Sequence, residues 1–399
     1  MIKDRYDVVI IGAGPAGSVA GRFAAEKGAS VLIMERDREA GIPVRCAEGV
    51  SVNGIKPFIE FDKKWVAATI DAACLHSPDG EKAFMYNNGK GLVLERRIFD
   101  TELCHLAVNA GAELLMKANA TGLEYTGGKI SGVHFRHQGE NKTIKCSLVI
   151  GADGVESRVG RWAGMKTALN LDDLDTCVQY TVSGYKGEQN VCHFYFGLDV
   201  SPGGYIWIFP KSKGVANIGI GISGHLAEVK GPKEYLDEFM DKEYPEVQTN
   251  YIVYGGVPTA WGLEKYIDDN IMLVGDAARQ VNPMTGGGIV QAMIAARLAG
   301  QVAAAAVEKG DFSYSFLKQY KKDWDVKLGS IQKTMYSMKE KFMRMDDGRF
   351  NKLVQICQNI PREEFSLKRL FMESMKGDPK LMAELARAFV VSKINLKKN

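Results

Sequence analysis

Apolar runs of four to six residues alternate with polar, glycine-rich breaks along most of the chain, and their spacing predicts strands and helices in turn. Residues 7–11 (DVVII) are continuous and β-branched, the pattern of a strand buried on both faces. Residues 18–27 are alanine-rich and predict a helix ended by Gly28, and 30–34 predict a second strand. Residues 147–150 and 271–274 read as further buried strands, 101–110 as a helix, and 288–307 as a long alanine-rich helix lying on a sheet. In the middle of the chain the period changes to two. Residues 177–183, 191–198, 204–209 and 215–222 predict an antiparallel sheet. From Tyr314 to Leu353 the spacing is helical again, and Met335, Met338, Phe342, Met343, Met345 and Phe350 form an apolar stripe.

The first predicted strand runs into Gly12-Ala13-Gly14-Pro15-Ala16-Gly17, a G-x-G-x-x-G turn that opens the first helix. Gly12 makes the tight turn, Gly14 admits a pyrophosphate, and Gly17 lets helix and strand pack closely; the helix N-terminus then offers amides to the phosphates. Glu35 ends the second strand, 18 residues past Gly17, where a carboxylate accepts hydrogen bonds from ribose hydroxyls and repels a 2′-phosphate. Strand, turn, helix and acid together imply a dinucleotide, which this motif alone leaves as either FAD or NAD.

Composition narrows the partners. Hydrophobic residues make up 46% and charged residues 25%, which suits a soluble globular chain. With 51 basic and 48 acidic side chains the net charge is +3, which gives no general attraction to nucleic acid. Seven cysteines, none in C-x-x-C pairs, speak against a zinc site or a four-cysteine cluster, so no metal is expected. The N-terminal apolar run is too short for a secretory core, and the helix at 288–307 carries Gln291, Arg297 and Gln301, so a cytoplasmic protein without a membrane span is expected.

Two later segments bear on the cofactor: Gly151-Ala152-Asp153-Gly154 with Ser157-Arg158, and Gly275-Asp276-Ala277-Ala278 followed by Pro283-Met284-Thr285-Gly286-Gly287-Gly288. They resemble the DG and GD motifs of the flavoprotein superfamily that includes the para-hydroxybenzoate hydroxylases. The resemblance implies FAD, with Asp276 on the ribityl chain and Gly287, Gly288 and Ile289 beside the pyrimidine end of the ring. Arg96, in Arg96-Arg97-Ile98-Phe99-Asp100, matches the R-x-x-F-D arginine that meets the pyrophosphate, with Arg97 as its solvent-facing neighbour. Ala120 matches a backbone contact to adenosine.

Tyr205-Ile206-Trp207-Ile208-Phe209-Pro210, eight residues, then Gly219-Ile220-Gly221 form a Y-x-W-x-F-P-x8-G-x-G pattern. With Pro43-Val44-Arg45-Cys46-Ala47-Glu48-Gly49 upstream, it looks like the geranylgeranyl reductase family, and the resemblance covers nearly the whole chain. The family implies hydrogenation of isolated alkenes in the isoprenoid chains of digeranylgeranylglycerophospholipids, during archaeal membrane lipid biosynthesis. It also implies an external reductant, either NAD(P)H or a ferredoxin. It sets Arg45, Cys46, Ala47 and Gly49 by the flavin. Cys46 is then either a proton donor or a small packing residue whose amide touches FAD.

Alternation puts Tyr205, Trp207 and Phe209 on one face and Ile206 and Ile208 on the other. With Pro210, Gly219 and Gly221, the aromatics form either a wall for a prenyl chain or ordinary sheet core. Flavin halogenases carry a related W-x-W-x-I-P element, from which Tyr205 and Phe209 depart. A flavin hydroxylase of the same superfamily and a non-catalytic prenyl-binding protein are the alternative functions.

The implied architecture is α/β (α+β overall): a Rossmann-type FAD-binding domain over 1–170 and 255–310, an antiparallel-sheet substrate domain over 50–95 and 171–254, and a helical region over 311–399. The methionine stripe is either the buried face of an amphipathic core helix with a solvated basic face, or a membrane-surface helix on which Lys333, Lys339, Lys341 and Arg344 meet lipid phosphate at the inner membrane surface. Residues 393–399 read as a basic tail.

Overall fold

The computed structural model describes residues 2–360, so the tail at 393–399 lies outside the described residues. The chain divides into two compact units, each assembled from three segments. The first takes Met1–Ile42, Arg96–Leu169 and Ala260–Lys333; the second takes Pro43–Glu95, Asn170–Thr259 and the residues from Thr334 onward. The helical region expected over 311–399 is therefore divided at Lys333 between the two.

The first unit is built on a parallel sheet. Its strands run in the order Ile271–Leu273, Glu140–Gly151, Arg5–Ile11, Val31–Met34 and Glu113–Leu115, all neighbours parallel. Ile267–Asp268 adds an antiparallel edge, and the hairpin Ala118–Thr126/Lys129–His137 extends antiparallel from Glu140–Gly151. Val8 to Ile10 and Leu148 to Ile150 are wholly buried, which explains why these strands read as unbroken apolar runs.

Two helices dominate one side. Ile289–Lys309 is the helix, among the described residues, long and apolar enough to cross a membrane. It packs instead on Pro15–Ala25, where Gly300 lies against the Ala20 backbone, too close for any side chain there. Alanines and a glycine on this face let the two helix backbones approach closely.

The second unit is built on an eight-stranded sheet in the order Gln248–Val257, Asp175–Ser183, Val215–Ser223, Tyr205–Ser212, Val191–Tyr195, Val66–His76, Lys82–Leu94, Gly49–Ser51. The sequence predicts antiparallel pairing throughout. One junction departs from it, Val191–Tyr195 running parallel to Val66–His76. The odd and even positions of Tyr205–Ser212 separate as expected. Ile206 and Ile208 join Val178, Ile218, Ile220, Leu236 and Phe239 in an aliphatic core beneath the helix Pro232–Glu243. Tyr205, Trp207 and Phe209 take the opposite face, where Phe194 meets both Tyr205 and Phe209 edge-on.

The methionine stripe runs along the helix Ser330–Phe342, through the turn that carries Met343 and Met345, and onto the helix Asp347–Asn359. Met338, Phe342 and Phe350 are buried, and Phe196 packs against both Phe342 and Phe350. These three are thus core, continuous with the aromatic face through Phe196 and Tyr205, while Met335, Met343 and Met345 are half-buried. Of the two readings of the basic residues, Lys339 fits the core helix: it is 3% exposed, and its ammonium donates to the carbonyls of Asp172 and Thr259. Buried charge of this kind holds a helix to a loop and is out of reach of lipid phosphate.

Candidate functional site

In the first unit the glycine turn behaves as its chemistry requires. Gly12 has φ +106°, and a side chain on it would overlap the Ala152 carbonyl. A side chain at Gly17 would overlap the Gly12 carbonyl, so strand, turn and helix touch through backbone alone. Gly14 differs from both. It caps the helix Pro15–Ala25 without a side-chain partner, and a Cβ on it would stand in open space. That space belongs to a cleft lined by Gly12, Gly14, Glu35, Ala120 and Asp153, with Arg158 and Trp162 at its side. Three sequence segments predicted to meet one cofactor therefore converge on one cavity.

The polar groups of the cleft are already oriented. One Glu35 carboxylate oxygen accepts the Ala13 amide at 2.8 Å and the other the Asp37 amide at 2.9 Å, which fixes the acid at the strand end. Asp153 accepts the Val159 amide at 2.9 Å on one oxygen, while the other is buried without a partner among the described residues. Burial raises the Asp153 carboxyl above its ordinary range, against backbone hydrogen bonds that lower it. An open glycine at a helix start, a fixed ribose acid and an orphan buried acceptor fit a dinucleotide such as FAD.

The GD segment stands in the same unit. Gly275 packs between Ala16 and Ala292, and Asp276 Oδ1 lies 3.2 Å from where a Gly288 side chain would begin. Burial pushes the Asp276 carboxyl up to about 6, partly offset by the Arg96 guanidinium. Arg96 holds Asp100 through two 2.7 Å bonds, and Arg97 pairs with Glu39 at the surface, as a solvent-facing neighbour does. Gly154 turns with φ +73° directly after Asp153. Gly287 and Ile289 bracket Gly288 where the helix Ile289–Lys309 starts.

In the second unit the G-x-G pair has a packing explanation. Trp207 sits opposite Gly219 and Tyr205 opposite Gly221 across paired strands. A side chain at Gly219 would overlap the Trp207 ring, which lies across both glycines. Over that gap the Trp207 indole donates to Gln179 Oε1 at 3.0 Å, and Gln179 Nε2 donates to the Cys46 carbonyl at 3.1 Å. Gly49 likewise leaves room for Phe209, whose ring stands 2.5 Å from the absent Cβ. Pro210 corrects the predicted pocket: it pairs with Ala216 of the aliphatic core, on the face away from the aromatics.

The segment around Cys46 carries groups that motif reading passed over. Arg45 is exposed, Cys46 and Ala47 are half-buried, and Glu48 is 2% exposed. Glu48 has φ +73°, a left-handed conformation that costs a non-glycine residue about 1–2 kcal/mol. Its carboxylate accepts Lys211 Nζ at 2.6 Å and Asn217 Nδ2 at 2.7 Å, and its amide donates to Cys46 Sγ at 3.2 Å. Lys211 is the extra residue of a β-bulge between Pro210 and Ser212. An acid beside a cysteine and a lysine after F-P were the available signals.

Elsewhere in this unit Cys74, His76 and His193 bring ligand-type atoms together. The two imidazoles hydrogen-bond each other at 3.0 Å, which accounts for their burial.

A Rossmann-type cradle in one unit and a mixed sheet with an aromatic face in the other define a flavoprotein oxidoreductase. Residues 173–257 match the family model of the geranylgeranyl reductase catalytic domain, and 6–189 match that of pyridine nucleotide-disulphide oxidoreductases. The digeranylgeranylglycerophospholipid reductase of Methanosarcina mazei is 43% identical over 395 residues, covering 97% of each chain. Digeranylgeranylglycerophospholipid reductase 2 of Methanococcoides burtonii is 41% identical over 392 residues, again covering 97% of each. Among solved structures, a geranylgeranyl bacteriochlorophyll reductase-like protein of Thermoplasma acidophilum superposes with TM-score 0.91 at 34% identity, over 96% of this chain and 99% of that one. A flavin-dependent brominase, at 18% identity and TM-score 0.72 over 99% of this chain and 100% of its own, shares the fold. This chain belongs to the digeranylgeranylglycerophospholipid reductase family.

Proposed function

We propose that the protein hydrogenates isoprenoid C=C bonds of digeranylgeranylglycerophospholipids, including 2,3-di-O-geranylgeranylglyceryl phosphate, at the cytoplasmic face of the membrane. The observation that carries this reading is near-full-length similarity to relatives named for that substrate. Gly12, Gly14, Ala16, Gly17, Glu35, Ala120, Asp153 and Asp276 would hold FAD, which would supply hydride chemistry when bound. The reducing equivalents would come from an external donor, NAD(P)H or a ferredoxin.

An isolated alkene accepts hydride poorly, because no carbonyl delocalises the charge. Protonation at one carbon makes the other a tertiary cation, and a hydride then completes the C–H bond; one proton and one hydride saturate one alkene. The Cys46 thiol is the proposed proton donor. Its product thiolate meets the Glu48 amide already at 3.2 Å. The faces of Tyr205, Trp207 and Phe209 favour a passing cation through their π quadrupoles while keeping water away.

The test is anaerobic. The purified protein is reduced with dithionite, digeranylgeranylglyceryl phosphate is added, and the lipid mass is read. Gain of hydrogen in steps of two supports the reading. An unchanged mass, with a flavin that reoxidises only in air, overturns it, and the same mixture in oxygen then tests for one added oxygen atom.

A further inference from the structure

We infer that Glu48 is a positioning residue for the Cys46 thiol, acting through a buried ion pair with Lys211 that holds the turn in its left-handed form. The inference rests on Cys46 as proton donor, and its test separates the two.

Three observations converge. First, a position with φ +73° suits glycine, yet it holds a glutamate that is 2% exposed. What the position requires is therefore the carboxylate. Second, that carboxylate is anchored from the aromatic strand. Lys211, with a side chain 12% exposed, reaches it at 2.6 Å from the bulge after Pro210, and also approaches Glu95 at 3.2 Å. Asn217 donates to the same oxygen, and its own amide oxygen accepts the Thr181 hydroxyl at 2.8 Å, which orients the group. Third, the turn is pinned on both sides of Cys46: Gln179 holds its carbonyl and the Glu48 amide meets its sulfur.

A buried ion pair is weak evidence for stability, since an apolar pair of similar size serves as well or better. The geometry here gives the pair a different use. With Glu48 anchored, its amide stays on the sulfur and favours the thiolate left after proton transfer. Released from Lys211, Glu48 loses the charged partner of its carboxylate and keeps the Asn217 bond and the Leu94 amide on its carbonyl, so the strained φ is held less firmly and the amide's contact with the sulfur weakens.

The experiment uses the FAD-loaded protein and reads Cys46 alkylation by iodoacetamide against pH, by peptide mass spectrometry. Lipid turnover is measured in parallel. Glu48→Gln and Lys211→Met each leave one buried charge, of opposite sign, whereas Glu48→Met with Lys211→Met leaves none. If the pair positions the turn, the double variant raises the thiol midpoint by about half a pH unit or more. Its kcat then falls about tenfold, with KM changed less than about threefold.

If charge alone matters, the two single variants shift the midpoint in opposite directions and the double variant restores it, which overturns the inference. Glu48→Gly in the Lys211→Met background takes the left-handed form without strain. It is expected to recover part of the lost kcat, and it carries the same test if the double variant loses FAD; recovery of nothing in either readout overturns the inference as well. Full activity in Cys46→Ala refutes the proton donor, while the alkylation profiles still judge Glu48.

Discussion

Two glycines three positions apart in the cradle have opposite reasons to be glycine, and substitution separates them. A methyl at Gly17 would overlap the Gly12 carbonyl, so Gly17→Ala must push helix from strand before any cofactor arrives. We expect it to lower the melting temperature and to abolish FAD retention, with an overpacking cost of about 1–3 kcal/mol. A methyl at Gly14 meets nothing within 4 Å, and its backbone at φ −70° accepts alanine. Gly14→Ala is expected to melt like the wild type without FAD, while FAD binding weakens about tenfold or more as the methyl fills the cleft. Flavin absorbance after gel filtration, beside calorimetry of the FAD-free proteins, checks both. Equal melting of the two variants would contradict the assignment. Glu35→Gln adds a milder case: an amide has one acceptor oxygen where the carboxylate uses two, so the Ala13 or Asp37 amide loses its partner. The expected cost is about 1–3 kcal/mol, seen as reduced FAD affinity.

At the scale of elements, the aromatic strand shows what alternation conveys and what it omits. Period-two reading assigned Tyr205, Trp207 and Phe209 to one face and Ile206 and Ile208 to the other, because a pleated strand leaves side chains no other choice. It could not foresee that Gly219 and Gly221 make room for the Trp207 ring, since cross-strand register is not written in a local pattern. The bulge at Lys211 escaped for the same reason, as did the left-handed Glu48 to which that lysine reaches. The methionine stripe was legible as helical, but its burial against Phe196 and the burial of Lys339 depend on tertiary contacts. In the cradle nearly everything was legible, because a G-x-G-x-x-G turn is a local device with fixed offsets. From the register we predict that Gly219→Ala displaces Trp207 and breaks its bond to Gln179. Lipid turnover should then fall about tenfold while bound FAD stays near wild type, as the cradle belongs to the other unit. Loss of FAD on this substitution would contradict the separation of roles.

On the scale of the whole molecule, burial of carboxyl groups makes stability depend on pH in an unusual sense. Asp175 is pushed up from 3.8 to about 6 by burial, with Lys339 and the Thr259 hydroxyl opposing the shift. Between those values the folded chain keeps a proton that the unfolded chain has lost. The contribution of Asp175 to stability is therefore fully present below 3.8 and is lost as pH rises through about 6. Carboxylates with lowered values, such as Glu113 beside Tyr6 and Lys3, act in the opposite sense, so the total curve hides the effect. A difference measurement exposes it. Asp175→Asn should gain stability relative to wild type as pH rises from about 4 to about 6, then hold a constant margin. Urea unfolding midpoints of both proteins across that range are the measurement, and a flat difference would refute a raised Asp175. Lys339→Met tests the cause. Without the ammonium, Asp175 should keep its proton to a higher pH and the upper edge of the window should move up. The same variant leaves the carbonyls of Asp172 and Thr259 without their donor, so it should also lower the midpoint at every pH. A shifted edge without a lowered midpoint would mean that Lys339 only tunes its neighbour. A lowered midpoint without a shifted edge would mean that it only anchors the helix.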